Sequence, residues 1–428
     1  MGEQLALCGG AKAVTYPWPP YPVIDHEEVN AAVRVVMARF LSDCGRGQFI
    51  AEMEDAYAAY FGTNYALGLV SGTAAIHSAL FAVGVCPGSE VLIANHNWIS
   101  PIMAVFHAGA VPVLCDVAPG TCAIDPEEIR RKVTPHTKAI VATHLWGVPA
   151  NMDGIMVVAR ELNLPVIEDV SHAHGGKYKG RYLGTIGDIG CFSLQGSKAI
   201  IAGEGGFMLT NSEHYYQRAM IPGLHPNRLG NDVMLEDVKP FSNAGGMFMY
   251  RMPTVSAAIA VAQLKKLPAL NAARQANFDR LYAQIGHLPF ITWPVLDEGS
   301  ERGWYGTPAL YDETKANGVS RDKFVQACLA EGCEVWGEGY CDYSQLPTLQ
   351  DMHLLGQMFS YQYPNGVAFK PITQGELPNN DALRSMQIRF TIPALESPLL
   401  IDQIAAGILK VADNLDAVAA YEPEPAIA

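Results

Sequence analysis

The sequence is poor in charge, and in positive charge above all. Charged residues make up 17% of the 428 positions, with 29 Lys and Arg against 43 Asp and Glu, a formal net charge of −14. A nucleic acid or an anionic membrane needs a basic face to bind, so neither is expected as a partner. Cysteine motifs are missing too. The nine cysteines (Cys8, Cys44, Cys86, Cys115, Cys122, Cys191, Cys328, Cys333 and Cys341) are odd in number and contain no CxxC pair, which removes the usual zinc and redox frameworks. Several lie in apolar runs such as Val111–Cys115, where free thiols pack as small hydrophobes. The N-terminus lacks the basic start and apolar core of a signal peptide. No run approaches the roughly 18 apolar residues that span a bilayer, and no internal repeat is visible. A soluble, reduced, cytoplasmic protein is expected.

Hydrophobic residues are plentiful, at 49%, enough for two or three cored domains. The proline-rich stretch Pro17–Pro22 opposes helix. Asp25 reads as the cap of a helix reaching about Phe40, and a second helix is expected over Ile50–Phe61. Between Tyr65 and Thr210, apolar runs alternate with helical patterns. The expected strands are Tyr65–Val70, Glu90–Ala94, Val111–Asp116, Lys138–Leu145, Pro165–Val170, Gly190–Leu194 and Gly206–Thr210. Each is apolar on both faces, as in strands covered by helices on both sides. Helical segments such as Thr73–Val85, Asp125–Val133 and Met152–Leu162 fall between them. This alternation predicts an α/β fold with a mostly parallel sheet. A long amphipathic helix over Pro253–Ile285, interrupted near Pro268, leads into a smaller α+β region. The expected division is 1–48 as an arm and helix packing with the small domain or a partner, 49–265 as the large domain and 266–428 as the small one.

Four segments lie at strand ends, where open α/β sheets bind ligands. Ser71-Gly72-Thr73 joins a strand to a helix, and a helix N-terminus with a close-approach glycine suits a phosphate; the same triplet also serves as an ordinary helix cap, Thr73 included. Trp98, after the strand Glu90–Ala94, can stack on a planar ring or pack in a core. Asp169 ends the strand Pro165–Val170, followed by His172 and His174. A carboxylate there can face a ring nitrogen, and with the histidines it can also face a metal. Lys198 sits in the loop Phe192-Ser193-Leu-Gln-Gly-Ser-Lys198, ahead of Gly203-Glu-Gly-Gly206. Desolvation and a neighbouring cation would lower its basicity and expose a nucleophilic amine, though a single loop lysine is usually a solvated side chain. Together the four supply a phosphate cradle, a ring stack, a ring-nitrogen partner and an aldehyde-trapping amine. That combination points to pyridoxal 5′-phosphate (PLP).

SGTAA, the strand-end Trp98, IEDVSHAHGG, GDIGCFSLQGSK and AGEGG resemble the DegT/StrS-like family of sugar and aminocyclitol aminotransferases. The resemblance runs from about Phe49 to Gln263 and more loosely to the C-terminus. It implies the aspartate-aminotransferase type of PLP fold, with a seven-stranded, mostly parallel sheet domain and a smaller α+β domain. It implies Lys198 as the Schiff-base lysine and Asp169 as the pyridinium partner. His172 would contact the cofactor, Ser193 would join Gly72 and Thr73 at the phosphate, and Trp98 would stack on the ring. No metal is implied. A homodimer with shared active sites is implied, with one departure: Met249 stands where the family places an Asn that reaches the partner's phosphate, so that contact would come from Asn243 or Arg251, or be absent.

Because Lys198 is present, the resemblance implies transamination, with Gln or Glu as donor and a ketone of a sugar, nucleotide sugar or cyclitol as acceptor. His225, Arg228 and Arg251 are candidates for a nucleotide diphosphate, whereas a neutral cyclitol needs none of them. Trp336 and Tyr340 can stack on a sugar face, and Glu338 can accept its hydroxyls. The alternatives are a PLP lyase that dehydrates and aromatises an aminocyclohexenone, and a non-catalytic interaction protein that keeps the fold.

Overall fold

Short strands with apolar side chains on both faces can be satisfied only between two helical layers, and the structure builds that sandwich. It is a computed structural model describing residues 3–422 except 245–247, 338–339, 341–342, 344–345, 352–353, 355–368 and 374. The strands in chain order are β1 (Tyr65–Leu69), β2 (Glu90–Ala94), β3 (Val111–Cys115), β4 (Thr137–Thr143), β5 (Val166–Asp169), a small hairpin β6 and β7 (Lys177–Tyr178, Arg181–Tyr182), β8 (Ile189–Ser193) and β9 (Gly206–Thr210). All but the hairpin form one seven-stranded sheet in the order β1-β9-β8-β5-β4-β2-β3. β3, β2, β4, β5 and β8 pair in parallel, and β9 runs against both its neighbours. The expected mostly parallel, seven-stranded α/β sheet is therefore present. Its strands fall within two residues of their expected bounds at each end.

Helices α1 (His26–Met37), α2 (Gln48–Phe61), α3 (Gly72–Ala82), α4 (Ile99–His107), α5 (Pro126–Lys132), α6 (Met152–Leu162), α7 (Glu213–Met220), α8 (Pro226–Asp232) and α9 (Thr254–Ile285) belong with this sheet. Asp25 closes a capping box with Glu28 at the start of α1, as its position predicts. At α3 the cap is Ser71, whose Oγ accepts the Ala74 N–H, and Thr73 lies inside the first turn. Ser71 has the extended backbone that a capping side chain requires, so Thr73 does not cap.

The expected break at Pro268 does not occur: α9 is continuous through it. Proline costs about 3 kcal/mol inside a helix. Here Leu264, Leu267 and Leu270 are buried around it, and their burial is worth more than that together. Beyond α9 a second, four-stranded sheet has the order β10-β11-β13-β12, from β10 (Ile291–Thr292), β11 (Thr307–Tyr311), β12 (Val335–Trp336) and β13 (Gln387–Phe390). The N-terminal arm packs on this unit: the buried Glu331 carboxylate accepts the Ala6 and Ala13 N–H groups at 2.7 and 3.0 Å and pairs with Lys410.

Arg228 is not available to any diphosphate. It is buried, forks onto Glu54 with contacts of 2.9 and 2.8 Å, and also reaches Asp232 and Tyr216. Glu54 in turn accepts the Gly68 N–H of β1. His225 caps α8, and Arg251 donates to the Asp43 carbonyl. Arg228 is a framework group because Glu54 and Asp232 already compensate its charge.

Removing Arg228 takes away the two-pronged partner of the buried Glu54 and leaves it the more exposed Arg46 as its cation, and loss of a buried ion-pair partner is strongly destabilising. Arg228→Met is therefore expected to lower unfolding free energy by about 3 kcal/mol or more, measured by urea denaturation. An unchanged midpoint would show that Glu54 does not depend on this partner.

Candidate active site

All the parallel strands deliver their C-terminal ends to one edge of the sheet, and a cavity of about 520 Å³ opens there. Gly72, Thr73, Trp98, Asp169, His172, Ser193 and Lys198 all line it. The chain crossing at the cradle is tight. A Cβ on Gly72 would stand 2.8 Å from that of Ser193, and one on Gly206 would stand 2.5 Å from the Gly72 nitrogen. Glycine at both positions lets β8, β9 and the start of α3 converge on a concave patch of backbone, with the unpaired N–H groups of the first turn at its rim.

β5 ends in two adjacent carboxylates with opposite fates. Glu168 points away from the cavity and is fully enclosed. It accepts from Gly184, Ile186 and Gly187 N–H groups at 2.9, 2.7 and 2.6 Å and from His144 at 3.0 Å. Burial alone would push its pKa up, but these donors and His144 hold it below the usual carboxylate range. Asp169 faces the cavity and accepts a backbone bond from Ser171 N–H at 3.0 Å. For Asp169 burial prevails, and its pKa is raised despite Ser171 and the more distant Lys198 and His144. An anion held in a dry site without a full cation partner is suited to a protonated ring nitrogen.

Lys198 is also buried, and its Nζ lies 4.1 Å from the centre of the Tyr305 ring. Burial lowers its pKa, while Tyr305 and Asp169 act the other way. The neighbouring cation expected from sequence is not among these causes; desolvation does the work. The lysine's turn is held through its backbone. Lys198 N–H donates to the Gln195 carbonyl at 2.9 Å, the Tyr21 hydroxyl from the proline-rich arm donates to the Lys198 carbonyl, and the buried Arg274 of α9 donates to the Ala199 carbonyl.

His172 stacks on Tyr305 with ring centres 4.0 Å apart and on Trp146 at 5.4 Å. Its Nδ1 accepts the Trp146 N–H at 3.4 Å. Burial first, then the charges of Lys198 and Arg389, hold its pKa well below normal, so it is a neutral, flat wall of the cavity. His174 packs on Phe192, and among the described residues no group of three His, Cys, Asp or Glu side chains is placed to hold a metal. Trp98 precedes α4 with half its surface exposed at the cavity mouth, so it is not a core tryptophan. Its ring sits 5.9 Å from that of Tyr340. Trp336 is tied to Thr391 instead, and Glu338 lies outside the described residues.

The structure adds Trp146, Tyr305 and Arg389 to this wall. Trp146 follows β4, and the strand-end rule that selected Trp98 could have found it. Tyr305 and Arg389 come from the second sheet's region, and no local pattern in sequence ties them to the first.

The sequence profile of the DegT/DnrJ/EryC1/StrS aminotransferase family matches residues 22–340. The chain belongs to this family. A Micromonospora echinospora protein provisionally named an L-glutamine:3-amino-2,3-dideoxy-scyllo-inosose aminotransferase is 32% identical over 348 residues, 79% of this chain and 80% of its own length. A protein of the same name from Streptoalloteichus tenebrarius is 29% identical over 98% of this chain and 100% of its own. Among solved structures, an aminotransferase from Psychrobacter cryohalolentis superposes with a TM-score of 0.81 at 27% identity, covering 94% of this chain and 100% of that one. The protein is thus a PLP-dependent aminotransferase of the aspartate-aminotransferase type of fold. The residues present fit that cofactor: the Gly72–Ser193 cradle, the dry Asp169 carboxylate and the desolvated Lys198 amine line one cavity.

A buried amine with a depressed pKa opposes folding at pH values where the unfolded chain would protonate it; the folded pKa lies below the unfolded one, so stability rises as pH climbs through that window. Lys198→Met in the cofactor-free protein is therefore expected to match or exceed the parent's melting temperature at pH 7, while abolishing covalent capture of PLP. A large drop in melting temperature would mean that the lysine serves the fold.

Proposed function

We propose that the protein transfers the amino group of an amino acid, L-glutamine foremost, to a ring ketone of a cyclitol in aminocyclitol biosynthesis. The observation that carries the reading is the desolvated Lys198 amine facing the same cavity as the dry Asp169 carboxylate. PLP, when bound, supplies the electron sink that lets a proton leave the donor's Cα. In this reading the first turn of α3, with Gly72, Thr73 and Ser193, holds the phosphate, and Asp169 keeps the ring nitrogen protonated. His172 and Trp98 bound the ring. Lys198 would hold the cofactor through its Nζ and, once freed, that Nζ would serve as the base and acid for the donor's Cα proton.

The names of the relatives favour glutamine and an inosose. A neutral polyol is favoured over a nucleotide sugar because Arg228, the best buried of the candidate diphosphate cations, is already compensated by Glu54 and Asp232. Ser100 and Glu204 offer hydroxyl-binding groups along the wall.

Assembly as a homodimer belongs to the same reading. α1 buries Val35 and Glu28 on one side and leaves Val29, Val33, Val36 and Met37 exposed on the other, continued by Phe40 and Leu41, an apolar stripe at helical spacing. Met249 is exposed with φ of 53°, the left-handed conformation that asparagine adopts more readily. The free cysteines, with no described helix apolar and long enough to cross a membrane, suit a reduced cytoplasmic setting.

Two measurements test this. The purified enzyme, offered glutamine and glutamate against inososes and nucleotide-linked ketosugars, is expected to aminate an inosose; exclusive use of open-chain 2-oxo acids, or dehydration without amine transfer, would overturn the acceptor. Light scattering is expected to give twice the chain mass, with Val33→Glu shifting it to a monomer of much lower turnover; an active parent monomer would sink the dimer.

A further inference from the structure

A charge taken out of water needs an opposite charge beside it. Arg228 has Glu54, Lys266 has Glu28 and Lys410 has Glu331. Arg274 of α9 has no such partner. It is 3% exposed, and the groups that meet it are neutral oxygens. Its Nη2 donates to the Ala199 carbonyl at 3.3 Å, and the Tyr21 hydroxyl favours its charge. Its Nη1 is buried with no hydrogen-bond partner. Burial, acting first, pulls the guanidinium's pKa down despite Tyr21. Fastening a carbonyl does not call for a full charge, so the neutral contacts leave the cation unexplained.

Arg274 lines a second cavity, of about 270 Å³, which shares Ser197 and Tyr305 with the cofactor cavity as a common wall. Its other sides are flat or apolar: Trp18 and Pro20 from the arm, Trp304 beside Tyr305, and Pro393. Arg274 is the only Lys or Arg among the described residues of this lining. Glu334 belongs to the lining too, but it is not among the groups that favour the Arg274 charge, and its own charge disfavours a second negative group on a ligand. An enclosed space with aromatic walls and one desolvated guanidinium suits a flat body that carries one carboxylate.

We propose that this second cavity is a ligand site, distinct from the reaction cavity, for a small organic acid with a flat or apolar body whose single carboxylate meets Arg274. The site bears on the reaction through the main chain. Arg274 and Tyr21 hold the consecutive carbonyls of Ala199 and Lys198, so an acid that draws on Arg274 acts on the turn of the reactive lysine without entering the reaction cavity. None of this depends on which ketone is aminated.

Calorimetry on the PLP-loaded protein tests the site with phenylacetate and with 2-phenylethanol, which keeps the ring and lacks the charge. Phenylacetate is expected to bind about tenfold tighter or more. Arg274→Met is expected to erase most of that preference, and Trp18→Ala to weaken phenylacetate about three- to tenfold while keeping the preference. Melting curves and the bound cofactor's absorbance report that each variant folds and loads. Should Arg274→Met not fold, Trp18→Ala and the parent's acid-to-alcohol ratio decide. No binding of phenylacetate at millimolar concentration overturns the assignment. So does equal binding of acid and alcohol, or an acid preference that survives in folded Arg274→Met. In the glutamine half-reaction phenylacetate is expected to alter the limiting rate at saturating L-glutamine; an effect that vanishes at saturation puts the acid in the reaction cavity and sinks the second site. The binding measurements use no substrate, so they stand whether or not glutamine proves to be the donor.

Discussion

The site depends on how the end of β5 is dried. Alternation along a strand sends neighbouring side chains to opposite faces, so Glu168 and Asp169 emerge into different worlds from adjacent positions. Glu168 is satisfied by three backbone N–H groups and His144, and in being satisfied it draws the 184–187 loop against the sheet. That loop lies against the end of β5, and Asp169, on the opposite face, is buried with far fewer donors. One carboxylate organises the backbone so that its neighbour is held short of partners. A desolvated anion and a desolvated amine within one cavity are a poor arrangement for stability and a useful one for holding a cationic ring and an aldehyde.

The large sheet was legible in the sequence because its signal is local. Parallel strands covered on both faces read as short apolar runs, and punctuation by Gly, Pro and Asp sets their ends to within about two residues. Lys198, Asp169, Gly72, Thr73 and Trp98 could be picked out because each stands at or just beyond the end of such a run, at the edge where a doubly wound sheet binds its ligand, whereas His172 and Ser193 entered through the family resemblance. What failed was reasoning that needed the third dimension. Pro268 looked like a helix break because its local cost is visible, while the burial of Leu264, Leu267 and Leu270 that outweighs it is not. Arg228 looked like a ligand for phosphate because its partner Glu54 lies far away in sequence. Tyr305 and Arg389 went unnoticed for the same reason, since the second sheet brings them to the cavity from a different part of the chain.

The arm illustrates how distant segments share one task. Residues near Ala6 and Ala13 are fastened to Glu331 of the small unit, and a few residues later Tyr21 reaches the carbonyl of Lys198. Arg274, from the helix that bridges the two sheets, reaches the next carbonyl along. Two distant elements therefore meet on the main chain of one turn, and neither contact uses the lysine's own amine.

That arrangement bears on how this chemistry can change over evolutionary time. Because the turn is anchored by carbonyl oxygens, its shape is indifferent to which side chain hangs from position 198. A single codon change there could remove covalent capture of the cofactor while leaving the cradle, the ring partner and the architecture in place. The protein would then start a new catalytic lineage from an intact scaffold, with the cofactor as an exchangeable guest and the vacated volume open to a different acid or base.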